Sequence, residues 1–152
     1  YDNYKSSQCT GLHCASFFGI LELAIASMET EDVNPDAPNN EGETPLLCAA
    51  GWGHDMVVNL LLERKDVNPN APDNEGRTPL RLAASYGHDS VVKLLLERKD
   101  VNPNAPDHEG STPLSSAAAY GHDSVVKLLL QCTDVNPNMP DNGGQTSLSR
   151  AA

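Results

Sequence analysis

The phrase Thr-Pro-Leu returns in this chain every 34 residues, and that period limits the chain to a stack of equal units. The phrase begins at Thr44, Thr78 and Thr112, and it returns as Thr-Ser-Leu at Thr146. Eight of the 34 positions differ between residues 44–77 and 78–111, which leaves 26 identical. A unit of this length cannot bury an apolar face by itself, so neighbouring units must stack to form one continuous core.

Each unit predicts two helices followed by a hairpin-like loop. In residues 44–77, Thr44 can cap the first helix, and Pro45 suits its first turn, where no backbone donor is needed. Gly53 ends that short helix. Asp55 then opens a second helix, on which valines and leucines recur at helical spacing.

The sequence also predicts where each unit ends. Arg64 and Lys65 are expected near the C-terminal end of the second helix, where positive charge suits the helix dipole. The run Asn68-Pro69-Asn70-Ala71-Pro72 ends the helix and continues as an extended arm. Residues 73–76 form the turn that leads into the next unit.

The combined pattern T-P-L-x-x-A-A-x-x-G-H-x-x-V-V-x-L-L-L resembles the ankyrin repeat, over essentially the whole chain. The resemblance implies an all-α solenoid of stacked helix-turn-helix units with hairpin-like loops. Its repeats would span residues 10–43, 44–77, 78–111 and 112–145, with a partial fifth repeat at 146–152, in one domain over 1–152. The period exceeds the family's period of about 33 by one residue near Lys65, and the linker resembles that of arrays abundant in filamentous fungi.

Two features of the units depart from the family pattern. The signature His after Thr-Pro-Leu is kept as His13, whereas Leu47, Arg81 and Ser115 replace it, so those three units lack the imidazole that forms the family's hydrogen bonds from that position. The chain also stops at Ala152, inside the first helix of the fifth unit. This favours a fragment of a longer protein, and a degenerate cap is the alternative.

Charge narrows the range of partners. The net charge of −11 opposes binding to nucleic acids and anionic membranes, because both need basic residues to neutralise phosphate. Residues 1–60 carry nine acidic residues and one base, a net −8, whereas residues 61–152 carry twelve and nine, a net −3. A basic segment of a partner protein would therefore be attracted to the N-terminal end.

Cysteine usage and hydropathy indicate where the protein acts. The sequence contains no apolar run of about 18 residues, and Tyr1 to Ser6 lack the basic and apolar regions of a signal peptide. Four scattered cysteines are too few for a disulfide framework. We therefore expect an intracellular protein, either cytoplasmic or nuclear. We also expect the protein to be a monomer.

The resemblance also implies a function. Ankyrin-like arrays bind a partner protein through their concave side, which is made from hairpin tips and the exposed side of the first helix. By position, the predicted contacts at the tips are Glu41, Glu43, Asn74, Glu75, Arg77, His108, Glu109 and Ser111. The alternative is a structural spacer in a multidomain protein, without a ligand of its own.

An aromatic residue recurs once per unit at the end of the first helix. These residues are Phe18, Trp52, Tyr86 and Tyr120, which we call the aromatic ladder. Large aromatic side chains dominate binding hot spots, so the ladder is a candidate contact surface. The alternative is that each ring packs beneath the next hairpin as ordinary core.

Metal binding and catalysis find no support in the sequence. His54, His88 and His122 recur in units spaced about 10 Å apart, too far to share a zinc ion that holds nitrogen at about 2 Å; turn structure is expected instead. The same spacing argues against a disulfide between Cys14 and Cys48, which are expected as buried thiols. The chain has no nucleophile elbow, zinc-protease motif or phosphate-binding loop, so we expect no enzyme, cofactor or metal.

Overall fold

The computed structural model describes residues 9–30, 32–147 and 149. Within these residues the chain forms eight complete helices, two further helical residues at Ser147 and Ser149, and no strand, which confirms the predicted all-α solenoid. The helices are α1 (Gly11–Phe18), α2 (Leu21–Met28), α3 (Pro45–Trp52), α4 (Asp55–Leu62), α5 (Pro79–Tyr86), α6 (Asp89–Glu97), α7 (Pro113–Ala119) and α8 (Asp123–Gln131). The N-terminal residues 1–8 and most of the partial fifth repeat lie outside the described residues.

The first helix of every unit begins and ends as its sequence predicts. The Thr44 hydroxyl accepts a hydrogen bond from the Leu47 backbone N–H at 3.2 Å, and Thr10, Thr78 and Thr112 cap their helices in the same way. Three of the four helices also have proline in the first turn. These local signals fix the start of each helix before any contact between units forms.

The second helices end earlier than the sequence predicts. Helix α4 ends at Leu62, so Arg64 and Lys65 lie beyond its last turn. Arg64 instead pairs with Asp66, two residues along the chain, with Nε 2.8 Å from Oδ1. In the third unit, Arg98 reaches back and donates to the Leu62 carbonyl at 3.0 Å. The positive charge there satisfies the helix end of the preceding unit rather than its own helix.

The core runs through the stack between the two layers of helices. Alanines that are fully buried on the first helices, such as Ala49 and Ala83, let neighbouring first helices approach closely. Valines and leucines of the second helices complete the core. Leu23 on α2 is 39% exposed, although its equivalents Val57 and Val91 are each 1% exposed. Helices α4 and α6, which carry these valines, each pack against the second helix of the preceding unit.

In the second, third and fourth units, the histidine before the second helix forms a hydrogen bond to the preceding unit. The Nε2–H groups of His54, His88 and His122 donate to the carbonyls of Phe17, Gly51 and Ser85 at 2.8–3.0 Å. Each ring also lies against the glycine that ends the preceding first helix. These histidines do stand at the predicted turn, and in addition they bridge repeats, a role that the sequence did not reveal.

Hydrogen bonds also join the extended arms of neighbouring units. Asn70 donates through Nδ2 to the Asp100 carbonyl at 2.6 Å, and its Oδ1 accepts from the Asn102 N–H at 2.7 Å. Asn104 repeats both contacts one unit later. In the first unit the equivalent residue is Asp36, whose Oδ2 accepts from the Asn68 N–H at 2.7 Å. Its Oδ1 is buried and has no hydrogen-bond partner among the described residues.

Replacement of Gly87 tests the glycine–histidine contact. Gly87 has φ of +74°, and a Cβ added there would lie 2.6 Å from the His122 ring. Gly121 has the same φ, but an added Cβ meets no described residue within 4 Å, so it is the matched control. We expect Gly121→Ala to lower the free energy of unfolding in urea by about 1–2 kcal/mol, the cost of the backbone conformation. Gly87→Ala should cost about 1–3 kcal/mol more because of the clash.

The clash predicts a coupling as well. In a His122→Ala background, the excess loss from Gly87→Ala should disappear, because the added methyl group then has room. Equal losses for the two glycine variants in the native background would contradict the assigned contact.

Asp36→Asn should stabilise the protein at neutral pH by about 1–2 kcal/mol, because the amide can donate where the carboxylate oxygen has no partner. Burial is the main reason that the pKa of Asp36 is raised above 3.8, and the Asn68 N–H partly opposes it. A raised folded-state pKa means that wild-type stability increases as pH falls through that pKa. The advantage of Asp36→Asn in urea unfolding should therefore shrink in acid. A variant with the same or lower stability than wild type at pH 7 would show that this contact is misassigned.

Candidate protein-binding surface

Three adjoining hollows form a groove along the ends of the first helices and the loop tips. Their volumes are about 420, 520 and 780 Å³. Phe17 and Glu43 line both the first and the second hollow, and Arg77 and Tyr86 line both the second and the third. Because neighbouring hollows share lining residues, we treat them as one concave groove.

The aromatic ladder lies on the surface of the molecule. Phe18, Trp52, Tyr86 and Tyr120 are 66, 58, 60 and 66% exposed, and each lines at least one of the hollows. The alternative that these rings form ordinary core between units is therefore wrong. Their role as partner contacts stays a prediction, but the rings are available for it.

The tip residues have two different environments. The side chains of Glu41, Glu75 and Glu109 are exposed at the rim of the groove. Asn74 is exposed but is also used within the stack, because its Nδ2 donates to the Asn40 carbonyl at 3.2 Å. The backbone N–H of His108 donates to the Glu75 carbonyl at 3.0 Å, and His108 also lines the third hollow. The tips are thus linked along the stack through their backbones.

The last tip position holds Glu43 in the first unit, Arg77 in the second and Ser111 in the third, and these residues have different environments. Glu43 is half-buried and accepts from the Asn39 Nδ2 at 2.9 Å. Arg77 pairs with the carboxylates of its own tip, at 2.6 Å from Asp73 and 3.1 Å from Glu75.

The structure does not place Ser111 on the tip surface, where the sequence predicts a partner contact. Ser111 is only 2% exposed, and its N–H donates to the buried Asp107 carboxylate at 2.8 Å. This small side chain lies beneath the tip rather than on it, so Ser111 is not available as a partner contact.

At the position of the family's signature His, two of the four residues, His13 and Arg81, connect their first helix to the next tip. His13 accepts from the Thr10 N–H through Nδ1, and its Nε2–H donates to the Glu43 carbonyl at 3.0 Å. Arg81 replaces that bond by an ion pair with Asp107 at 2.7 Å. Ser115 caps its own helix, and Leu47 is fully buried.

The positions that vary between the second and third units line the groove. Of the eight differing pairs, six include a residue that lines the second or third hollow: 47/81, 48/82, 51/85, 52/86, 74/108 and 77/111. The other two, 56/90 and 59/93, lie on the second helices, away from the groove. The pairs 47/81 and 48/82 form the floor of the groove.

The groove is acidic once its internal ion pairs are counted. Both arginines that line it, Arg77 and Arg81, are bound to carboxylates of the tips. Within the described part of the chain, Glu41, Glu43 and Glu109 form no ion pair. Two of these three carboxylates lie at the N-terminal end of the groove, where the sequence places most of the negative charge.

The cysteines of the first hollow differ from one another. Cys14 is exposed, which corrects the expected burial, whereas Cys48 is 6% exposed as predicted. Burial, with a smaller contribution from the Glu43 carboxylate, raises the pKa of the Cys48 thiol to about 12. All four cysteines are free thiols.

Residues 9–30, 32–147 and 149 contain neither a cluster of metal ligands nor a membrane-spanning helix. No group of three or more His, Cys, Asp or Glu side chains there is arranged to hold a metal ion. No helix in that part of the chain has the length and apolar character needed to cross a bilayer.

Four stacked helical hairpins with a continuous groove along one side define a helical-repeat solenoid. Two family models agree with this architecture. A model of three ankyrin repeats matches residues 12–107, and a model of many ankyrin repeats matches residues 95–151. The chain belongs to the ankyrin repeat family, whose repeats generally mediate interactions between proteins. No curated protein sequence matches the chain.

The thiol environments predict selective labelling. At pH 8, iodoacetamide should modify Cys14 at least about a hundredfold faster than Cys48, because the thiolate is the reactive form and Cys48 is buried and protonated. Unfolding in urea should abolish the difference. Mass spectrometry of the digested protein gives both rates, and comparable rates in the folded protein would contradict the burial of Cys48.

Proposed function

We propose that this chain is a protein-binding scaffold that holds a segment of a partner protein in the concave groove, against the aromatic ladder and the tips. The observation that supports this most is the exposure of four large aromatic rings in one groove, where sequence differences between nearly identical repeats also concentrate. A fixed framework with a varied surface is what recognition requires. The proposed contacts are those predicted from the sequence, without Ser111.

The partner segment is proposed to be basic. Glu41, Glu43 and Glu109 are acidic groove residues without an ion pair in the described part of the chain, and a cationic segment would neutralise them. Charge complementarity of this kind raises the association rate and excludes acidic competitors. One copy of the chain supplies the whole groove, which favours action as a monomer. Free thiols at all four cysteines favour a reducing, intracellular location.

Peptide display tests the proposal with random sequences in place of a chosen partner. Random peptides displayed on phage would be selected on the folded chain, and the affinity of each selected peptide for variants would then be measured. Trp52→Ala and Tyr86→Ala should each weaken binding at least about tenfold, the loss typical of an aromatic hot spot. Both side chains are largely exposed, so thermal unfolding should change little.

Met56→Ala is the matched control, since Met56 is 62% exposed on α4 and lines none of the three hollows. It should leave the affinities unchanged. If the selected peptides bind Trp52→Ala, Tyr86→Ala and Met56→Ala alike, the groove is not the binding surface. The spacer alternative predicts that result.

A further inference from the structure

The N-terminal part of the groove contains a cluster of three aromatic rings. The centroids of the Phe17 and Trp52 rings are 4.8 Å apart and their planes are inclined by 63°. Phe18 lies 5.0 Å from Phe17, at 78°. Rings at these angles form a corner with open faces rather than a closed stack. All three are between 44 and 66% exposed.

This corner exists in one place because of a single residue. Phe17 occupies the position that Gly51, Ser85 and Ala119 hold in the later units. In those units the ladder residue has no second large ring beside it on the same helix. Phe17 bridges the gap between Phe18 on its own helix and Trp52 on the next, so the cluster spans two repeats.

Two carboxylates border the same corner. Glu41 and Glu43 line both hollows that Phe17 lines. The contacts of the Glu43 side chain, with Asn39 and the Cys48 thiol, are both made by Oε2. Glu41 is exposed and takes part in no ion pair in the part of the chain that the structure describes. Arg77 lines one of these hollows, but its guanidinium is held by Asp73 and Glu75.

Ring faces beside carboxylates that form no ion pair in the described part of the chain favour a side chain that is both planar and positively charged. A planar guanidinium can lie on an aromatic face and donate in parallel to a carboxylate. A neutral apolar side chain would leave the carboxylates unused, and an acidic one would be repelled.

We propose that the corner formed by Phe17, Phe18 and Trp52, together with Glu41 and Glu43, is a subsite for an arginine side chain of the bound partner segment. This inference rests on the proposed function and adds to it the residue type and the place where that residue binds.

The experiment uses the chain's one tryptophan as a reporter inside the subsite. N-acetyl-arginine amide would be titrated into the folded protein while Trp52 fluorescence and its indole N–H resonance are followed. The control ligand is N-acetyl-citrulline amide, which has nearly the same shape but no charge. We expect saturable binding of the arginine probe, with a Kd on the order of 10 mM for so small a ligand. The citrulline probe should bind about fivefold more weakly or not at all.

Variants separate the contributions of charge and ring. Glu41→Gln combined with Glu43→Gln should weaken arginine binding about fivefold and remove most of its salt dependence. Phe17→Ser, which introduces the residue found at the equivalent position 85, should weaken it by a similar factor. Glu97→Gln, exposed at the end of α6 and outside the three hollows, is the matched control and should have no effect. Thermal melting of each variant confirms that the fold is retained.

The outcomes distinguish this inference from the proposed function. Equal binding of the arginine and citrulline probes, or no change at Trp52 with either, would overturn the arginine subsite. Displayed peptides that depend on Trp52 but contain no arginine would do the same while leaving the groove as the binding surface. The subsite is supported if the selected peptides depend on Trp52 and contain an arginine. Replacement of that arginine by Gln should then be harmless to binding by the double Glu→Gln variant.

Discussion

The hydrogen bond from histidine to the preceding unit is the contact on which the presentation of the groove depends. It ends on the carbonyls of Phe17, Gly51 and Ser85, which directly precede the ladder residues Phe18, Trp52 and Tyr86. The contact that joins neighbouring units therefore also holds the backbone that carries each ring. Its geometry needs a glycine beneath the histidine ring, because any side chain there would occupy the same space.

Local signals made most of the fold predictable from the sequence. Threonine caps, prolines in first turns and left-handed glycines act within a few residues, and the period multiplied each signal by four. The predictions that failed concern contacts between units or the depth of a side chain. Arg64 and Lys65 lie past the end of α4, and Ser111 lies under its tip. Spacing along the chain cannot reveal such facts, because they depend on which neighbouring unit covers each atom.

The candidate site was predicted in outline for the same reason. Positions such as Trp52 and Tyr86 repeat with the period, so their common placement on one surface follows from the resemblance. Phe17 breaks the repeat, and its contact with Trp52 across two units was visible only in the structure. Its sequence signal was a large ring at a position where the other units have Gly, Ser or Ala.

The bond between first helix and next tip explains how the groove can vary without loss of register. Around position 13 and its equivalents, the stack uses an imidazole–carbonyl bond, a buried leucine and an arginine–aspartate pair. Each of these residues gives the groove floor a different chemistry. The hydrogen bonds from histidine to the preceding unit and the alanine-rich helix contacts stay the same. In a solenoid each unit contacts only its neighbours, so such a change is felt locally. The framework thereby tolerates different surfaces along its length, which allows an aromatic, acidic end and a more polar end in one groove.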